Sequence, residues 1–218
     1  MILAETHLHT SVSSYCGMVS PADIPALYKK NGYGAIVVTD HYYEKTKEKY
    51  HKSADEWLNG YRIVRDTAKK IGMKVFLGME LRLICAPEDL LIYGFDEAFL
   101  LRNERIYELT MPQLYELTQA YGLLIYQAHP FREGMSRCDP AMIDGVEVHN
   151  GHPRHQNYND KAKAFGEKHG LLQISGSDFH RYGDEGRGGL WLDEAVETEK
   201  ELARYLKTRP DLVILNEV

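Results

Sequence analysis

The chain has 218 residues, of which 44% are hydrophobic and 27% are charged. This composition excludes a wholly disordered protein, because it supplies enough apolar surface for one sizeable core. At about 150 residues per domain, the length predicts one larger α/β domain over residues 1–218. The net charge of −6 argues against proteins that bind nucleic-acid polymers or anionic membranes through a positive surface.

The cysteines predict a reducing compartment. Cys16, Cys85 and Cys138 are odd in number, widely spaced and form no CxxC pair, so a disulfide framework is not expected. We therefore expect a cytoplasmic protein. No apolar stretch reaches the roughly 18 residues that a bilayer span requires, so no membrane partner is expected.

Short β-branched runs alternate with amphipathic stretches along the chain. The runs AIVVT and LLIY are continuously apolar, which is typical of strands buried on both faces. The alternation predicts parallel strands joined by right-handed helical crossovers. The predicted strands are residues 2–6, 35–39, 74–83, 89–95, 123–127, 145–149, 172–175 and 212–215.

Capping residues place helices between these strands. Pro21 is predicted at the first helical position of a helix that ends at Gly32. Ser53 is predicted to cap the next helix, and Thr198 with Glu201 has the spacing of a capping box. Further helices are predicted near residues 112–122 and 159–170. Two segments are predicted to be loops, residues 96–111 and 179–196.

Metal-ligand residue types recur where the predicted strands end. The segments ETHLHT, VVTDH, YQAHPFR, VEVHN and SGSDFH each follow or finish a strand. In a parallel α/β fold these ends meet on one face, where functional sites are built. The candidate metal ligands on that face are His7, His9, His41, Glu80, His129, His149, Asp178 and His180.

The pair His7 and His9 carries the strongest signal. Residues two apart on a strand point the same way, and two imidazoles on one face can chelate a divalent ion. Glu80 and Asp178 offer anionic oxygens, and a carboxylate can bridge two ions. His149 either is a ligand itself or belongs to a pair with Glu147 that orients the ligands.

Five short motifs occur in the order found in one known family. HLHT, TDH, GMEL, AHP and GSDFH make the sequence similar to the PHP (polymerase and histidinol phosphatase) superfamily over residues 1–180. The resemblance implies a distorted (β/α)7 TIM-like barrel that binds two or three divalent ions of Zn, Mn or Fe. Most known members are phosphoesterases. The implied sites are a first ion at His7, His9, Glu80 and Asp178, a second at Glu80 and His129, and a third at His41 and His180.

The sequence departs from the family pattern at two places. Residues 13–16 read Ser-Ser-Tyr-Cys where members often carry an Asp or a His, so the implied third ion lacks the usual ligand there and Cys16 is one candidate to replace it. This thiol is either a soft ligand or a buried apolar residue. The fourth strand has no His and offers Asp89 instead, which leaves the second ion to be completed by His149 or by water.

The predicted chemistry is metal-assisted hydrolysis of a small phosphate ester. Paired divalent ions lower the pKa of a shared water, so that a metal-bridging hydroxide acts as the nucleophile, and they neutralise phosphate oxygens. No GxSxG nucleophile elbow is present. Asp178 and His180 are candidates for proton transfer. Arg132, three residues after His129, is the candidate for binding the phosphate, because a guanidinium grips phosphate bidentately.

Two other functions are compatible with part of this pattern: an amidohydrolase-like enzyme and a non-catalytic metal-binding scaffold. An amidohydrolase-like enzyme also uses a His-x-His pair, but it commonly carries a strand lysine or two more strand histidines; Glu80 and the TDH motif favour the phosphoesterase. A non-catalytic metal-binding scaffold would follow if the missing ligands mark a decayed site.

Overall fold

The computed structural model describes residues 1–44 and 53–214. The strands are β1 (Ile2–Glu5), β2 (Tyr33–Val38), β3 (His41–Tyr42), β4 (Lys74–Arg82), β5 (Asp89–Tyr93), β6 (Leu124–Gln127), β7 (Gly145–Asn150), β8 (Leu172–Gly176), β9 (Gly188–Leu192) and β10 (Leu212–Ile214). The helices are α1 (Ile24–Lys30), α2 (Ala54–Trp57), α3 (Asn59–Lys69), α4 (Glu97–Arg102), α5 (Met111–Tyr121), α6 (Asn159–His169) and α7 (Glu199–Leu206). Short 3-10 helices lie at Ile106–Glu108 and Pro140–Met142.

The strands curl into a nearly closed barrel. Their order is β10-β9-β1-β2-β4-β5-β6-β7-β8, and β3 pairs with β4. The residues just beyond β1 and β8 meet, where a parallel bridge joins Leu8 to Phe179. The His9 N–H donates to the Phe179 carbonyl at 2.9 Å. The predicted distorted TIM-like α/β barrel is therefore confirmed.

The strands are not all parallel, so that part of the prediction was wrong. β5 runs antiparallel to both β4 and β6, and β9 runs antiparallel to both β1 and β10. A parallel crossover needs a dozen or more residues, and only residues 83–88 connect β4 to β5. The short connection therefore forces β5 to turn back.

Both segments predicted as loops contain regular structure. Residues 179–196 include β9, in which Leu190 and Leu192 are buried while Trp191 between them is exposed. Residues 96–111 include α4 and a 3-10 helix. The strand predicted at 212–215 is observed at Leu212–Ile214, and residue 215 lies outside the described residues.

The helix caps explain where several helices begin. Ser53 accepts a hydrogen bond from the Glu56 N–H, and Thr198 forms the expected capping box with Glu201. The first helix begins later than predicted, at Ile24, because the backbone turns after Ser20 before it becomes helical. None of the described helices has the length and apolar character needed to cross a membrane.

The sheet is buried on both faces. On β2, Ile36 and Val38 belong to one hydrophobic cluster, whereas Ala35 and Val37 belong to another. Because alternate residues of a strand point to opposite faces, the two clusters lie on opposite sides of the sheet. This burial explains the continuous apolar run in the sequence and gives the residues that follow the strands a rigid support.

Candidate metal centre

The histidine pair after β1 lies at the centre of a buried polar cluster. His7 and His9 are both fully buried, and their Nε2 atoms lie 3.2 Å apart. Two nitrogens bound to one tetrahedral ion at 2.0–2.1 Å lie about 3.3 Å from each other. The pair therefore has the spacing of two ligands of a single ion.

Two buried carboxylates face the same point. Asp178 Oδ1 lies 3.5 Å from His7 Nε2 and 3.3 Å from His9 Nε2. Glu80 places one oxygen 3.5 Å from His7 Nε2 and the other 3.3 Å from His9 Nε2. Two imidazole nitrogens and two carboxylates thus converge, as the implied first ion requires.

Glu147 orients this first group from behind. Its Oε1 lies 2.8 Å from His7 Nδ1, so Nδ1 carries a proton, and Nε2 faces the cluster as the atom that would bind an ion in its deprotonated form. Its Oε2 accepts hydrogen bonds from the His129 N–H and the Asn150 amide. Burial lowers the pKa of His7, but the carboxylates of Glu147, Asp178 and Glu80 outweigh it and raise that pKa well above its usual value.

Glu80 lies between two further histidines. Its Oε1 is 3.0 Å from His129 Nε2, and its Oε2 is 2.8 Å from His41 Nδ1. Burial raises the pKa of Glu80, but His41 and His7 outweigh it and hold that pKa well below its usual value. An ionised carboxylate with one oxygen toward each neighbour has the arrangement of a bridging ligand.

Two buried polar atoms of the cluster have no hydrogen-bond partner among the described residues. They are Glu80 Oε2 and His129 Nδ1; Glu80 Oε2 has His41 Nδ1 as an ion-pair contact at 2.8 Å. A buried polar atom without a partner is costly. A divalent cation would satisfy the carboxylate oxygen, so the residues present fit a metal ion.

A third group lies beside the first. Ring nitrogens of His9, His41 and His180 lie within 4.8 Å of one another. His180 Nε2 is 3.1 Å from Cys16 Sγ, and its Nδ1 is 2.8 Å from the Asp178 carbonyl. Burial raises the pKa of the Cys16 thiol, but hydrogen bonds with His180 and His41 outweigh it and lower that pKa to about 7.

Two ligand residues adopt left-handed backbone conformations. The φ angle is +29° at His129 and +49° at Asp178. Such angles strain a residue with a side chain, and strain of this kind clusters at functional sites. The bond from the His129 N–H to Glu147 helps to hold the first of these conformations.

Glu5 is a buried residue that the sequence analysis missed. Its Oε1 accepts backbone N–H groups of His7 and Ser177, and its Oε2 accepts the hydroxyls of Ser177 and Tyr28. It therefore ties together the segments that carry His7 and Asp178. The sequence feature that could have identified Glu5 is its position as a single carboxylate inside the apolar first strand.

The structure does not bring His149 into the cluster. Its Nε2 lies 2.9 Å from the Arg187 carbonyl, and its Nδ1 lies 3.2 Å from the Asn159 amide nitrogen. The pairing of β7 with β8 shifts register between Glu147 and His149, so simple alternation no longer places the two side chains on one face. Only Glu147 of the two faces the candidate ligands.

Arg132 is part of the cluster, but its guanidinium is largely engaged. Its Nη2 lies 2.7 Å from Asp178 Oδ2 and 3.0 Å from Asn150 Oδ1. Its Nε donates to Asn157 at 2.8 Å. Within the described part of the chain, Nη1 makes no hydrogen bond. Arg132 therefore holds one oxygen of Asp178 and keeps one nitrogen for a further acceptor.

The fourth-strand candidate, Asp89, is paired with an arginine. Arg82 contacts its two oxygens through Nε and Nη2, at 2.7 and 2.6 Å. Asp89 Oδ2 lies 3.9 Å from His129 Nε2. Asp89 is thus close to the cluster, yet it already has a cationic partner.

Comparison with known proteins identifies the family. The sequence model of the PHP domain matches residues 5–210. The chain belongs to the PHP domain family. No curated protein sequence matches it significantly.

Three solved structures share the fold at low sequence identity. A two-domain protein from Bacteroides vulgatus, described as containing a predicted PHP-like metal-dependent phosphoesterase, is 19% identical with a TM-score of 0.70; the match covers 98% of this chain and 64% of that one. PsfC from Pseudomonas syringae is 16% identical, with a TM-score of 0.66 and coverage of 98% and 91%. An amidohydrolase from Chromobacterium violaceum, solved with sulfate and no metal, is 17% identical, with a TM-score of 0.58 and coverage of 95% and 96%.

Proposed function

We propose that the chain is a metal-dependent phosphoesterase that hydrolyses a small phosphate ester within one barrel domain of residues 1–218. The observation that carries the proposal is the convergence of His7, His9, Glu80 and Asp178 on one buried point, with nitrogens 3.2 Å apart. Membership of the PHP family and the fold shared with the Bacteroides protein support the reaction class.

The proposed ligands form three groups around Glu80. When bound, divalent ions such as Zn, Mn or Fe lower the pKa of a shared water to supply a hydroxide nucleophile, and they neutralise phosphate oxygens. His149 is left out of the proposed set, because both of its ring nitrogens have partners elsewhere. The groups are His7, His9, Glu80 and Asp178 for the first ion, Glu80 and His129 for the second, and His9, His41 and His180 for the third.

The surrounding side chains hold these ligands in position. Glu147 fixes the proton of His7 on Nδ1, and Arg132 holds Oδ2 of Asp178. Oδ1 of Asp178 then stays directed at the histidine pair. Nη1 of Arg132 has no hydrogen-bond partner among the described residues, and we assign to it the role of donor to a phosphate oxygen.

Asp178 and His180 are the candidates for proton transfer. His180 Nδ1 faces the Asp178 carbonyl and carries the proton, so Nε2 is the atom that either exchanges a proton or binds an ion. The Asp178 carboxylate contacts Arg132 through one oxygen and the histidines through the other. His180 Nε2 cannot exchange a proton while it binds an ion, so the two roles exclude each other.

The test combines metal analysis with a panel of phosphate esters. Protein purified without chelator should contain about two or three ions per chain and release phosphate. Asp178→Asn and His9→Ala should lose metal and turnover, whereas His169→Ala, at the exposed end of α6, should behave as wild type. Undiminished turnover in Asp178→Asn would contradict the proposal.

Two results would favour the other functions. Release from amides but not from phosphate esters would indicate an amidohydrolase. A folded, metal-loaded chain that is silent on both substrate classes would indicate a scaffold.

A further inference from the structure

Cys16 lies at one end of the cluster, against imidazole rings. Its Sγ is 3.1 Å from His180 Nε2. The ring centroids of His9 lie 4.5 Å from those of His41 and 4.4 Å from those of His180. We call Cys16, His9, His41 and His180 the thiol end of the cluster.

The backbone holds Cys16 in this place. The Met18 N–H donates to the His180 carbonyl at 2.8 Å, which attaches the cysteine loop to the loop of His180. On the other side, the Ser14 hydroxyl accepts the His41 N–H at 2.9 Å. The thiol is therefore fixed between two candidate ligands and does not depend on a freely moving loop.

The lone pair of His180 faces the sulfur. Because Nδ1 is bonded to the Asp178 carbonyl, Nε2 is left as the ligand atom. A tetrahedral ion with a 2.3 Å metal–sulfur bond and a 2.0–2.1 Å metal–nitrogen bond separates the two ligand atoms by about 3.5 Å. The observed separation of 3.1 Å is close to that spacing, and small side-chain rotations would reach it.

A second observation also indicates a cation at this end. Glu80 Oε2 is buried and has no hydrogen-bond partner among the described residues. It lies 2.8 Å from His41 Nδ1 and 3.3 Å from His9 Nε2. This carboxylate oxygen thus faces His41 and His9, whose ring nitrogens lie within 4.8 Å of that of His180.

The environment of Cys16 differs from that of a packing cysteine. Cys138 is also half-buried, but it packs against the hydrophobic core. Cys16 instead has polar, ligand-type neighbours. A cysteine that serves only as a small apolar side chain belongs in the first environment.

We propose that Cys16 is a thiolate ligand of an ion at the thiol end, together with His41 and His180. The assignment rests on the proposed function, because it presupposes that the cluster binds divalent ions. Ion binding forms the metal–sulfur bond and releases the thiol proton to the solvent. A ligand role for His180 leaves Asp178 as the residue for proton transfer.

The proposal has a consequence for metal preference. Thiolate ligands select soft and borderline ions such as Zn, whereas carboxylate and water ligands suit Mn. The thiol end should therefore prefer Zn or Co to Mn. The His7–His9 group, which has two carboxylates and no sulfur, should discriminate less.

The test is a cobalt titration of the metal-free full chain. Binding of Co²⁺ to a thiolate gives a sulfur-to-metal charge-transfer band in the near ultraviolet, separate from the visible bands of imidazole and carboxylate sites. Wild type and Cys138→Ser should show this band, and Cys16→Ser should lack it. Cys16→Asp should keep the bound cobalt without the band, because a carboxylate replaces the thiolate.

The remaining outcomes show whether the thiolate assignment, the proposed function or both are wrong. Cobalt binding without the band in wild type, or a band that persists in Cys16→Ser, would overturn the thiolate assignment alone. Failure of wild type to bind cobalt would overturn both. A Cys16-dependent band in a chain that hydrolyses no phosphate ester would support the assignment and reject the proposed reaction.

Discussion

The two ends of the cluster have different side chains where an ion would lie. At the thiol end, Cys16 Sγ lies 3.1 Å from the imidazole Nε2 of His180. On the side of His129, Asp89 is instead paired with Arg82 and lies 3.9 Å from His129 Nε2. We call Asp89, Arg82 and His129 the arginine end. The difference predicts that an ion at the arginine end would compete with the fixed charge of a guanidinium, whereas an ion at the thiol end would face imidazoles that can give up their protons.

An arginine lies near each end, but only one of the two contacts a candidate ligand directly. Arg82 contacts the carboxylate next to His129 directly. Arg154 pairs with Asp184 at 2.7 and 2.6 Å, and Asp184 accepts the His180 N–H at 3.2 Å. Arg82 would therefore compete with an ion for Asp89, whereas Arg154 helps to position the backbone of His180 through Asp184.

The largest effect is expected from Glu80→Gln, because this carboxylate serves both ends. The amide keeps the shape but loses the charge that bridges His41 and His129. We expect metal loss at both ends and a decrease in turnover greater than the roughly 10- to 100-fold change typical of outer-shell partners. Elemental analysis measures the bound metal, and phosphate release measures turnover. The exposed Glu167→Gln is the control. If Glu80→Gln keeps its metal and its turnover, Glu80 is not a ligand.

Glu147→Gln should lower metal affinity less than Glu80→Gln, because Glu147 only orients His7 and His129. The amide cannot accept in the same way from His7 Nδ1 and the His129 N–H. Metal affinity should decrease by about 10- to 100-fold, measured by competition with a chelator. An unchanged affinity would mean that the tautomer of His7 is fixed without Glu147.

Arg82→Met should raise the affinity for an ion at the arginine end, whereas the two preceding variants should lower metal binding. The alkyl stem is kept, and Asp89 loses its cationic partner near His129. Without metal, the buried carboxylate should lower the melting temperature; added Mn or Zn should restore it, with an ion affinity about tenfold higher than in wild type. Arg105→Met, on an exposed pair, is the control. An equal thermal response to metal in variant and wild type would contradict the competition between Arg82 and an ion.

The smallest effect is expected from Arg154→Ala, and it depends on pH. Burial raises the pKa of Asp184, but Arg154 and the backbone N–H groups of Arg181 and His180 outweigh it and lower that pKa below its ordinary value of 3.8. Asp184 therefore stabilises the fold above that value, and the contribution disappears as pH falls through the lowered pKa.

Because Arg154 is 35% exposed, the free energy of unfolding should decrease by about 1 kcal/mol at pH 7. Denaturant unfolding of wild type and Arg154→Ala at pH 7 and at lower pH measures the difference. A difference that stays constant below pH 3.8 would reject the role of the Asp184 charge.

The sequence was sufficient for the features that depend on local spacing. His7 and His9 are two residues apart, and strand-end motifs placed Glu80, His129 and Asp178 on a common face. These residues meet in the structure because parallel strands bring their carboxyl ends together. The order of the motifs also identified the family.

The features that the sequence did not predict depend on long-range or irregular backbone geometry. A register shift in β7 turns His149 away from the cluster, and no residue type signals it. β9 is rich in glycine and lies against β1, so it lacked the β-branched pattern of the other strands. The pairing of Arg82 with Asp89 depends on the antiparallel turn of β5, which connection length alone would have revealed.

The closure of the barrel has a consequence for how the protein matures. Glu5 and Ser177 are 172 residues apart in sequence, and the backbones near them pack so closely that a Cβ on Gly176 would lie 2.5 Å from the Cβ of His7. An ion held by His7, His9, Glu80 and Asp178 would therefore join segments that are far apart in the sequence. Because such distant contacts form late and slowly, the proposed ion site is incomplete until the segment that carries Asp178 has been synthesised, and a bound ion would then link that segment reversibly to the segment of His7.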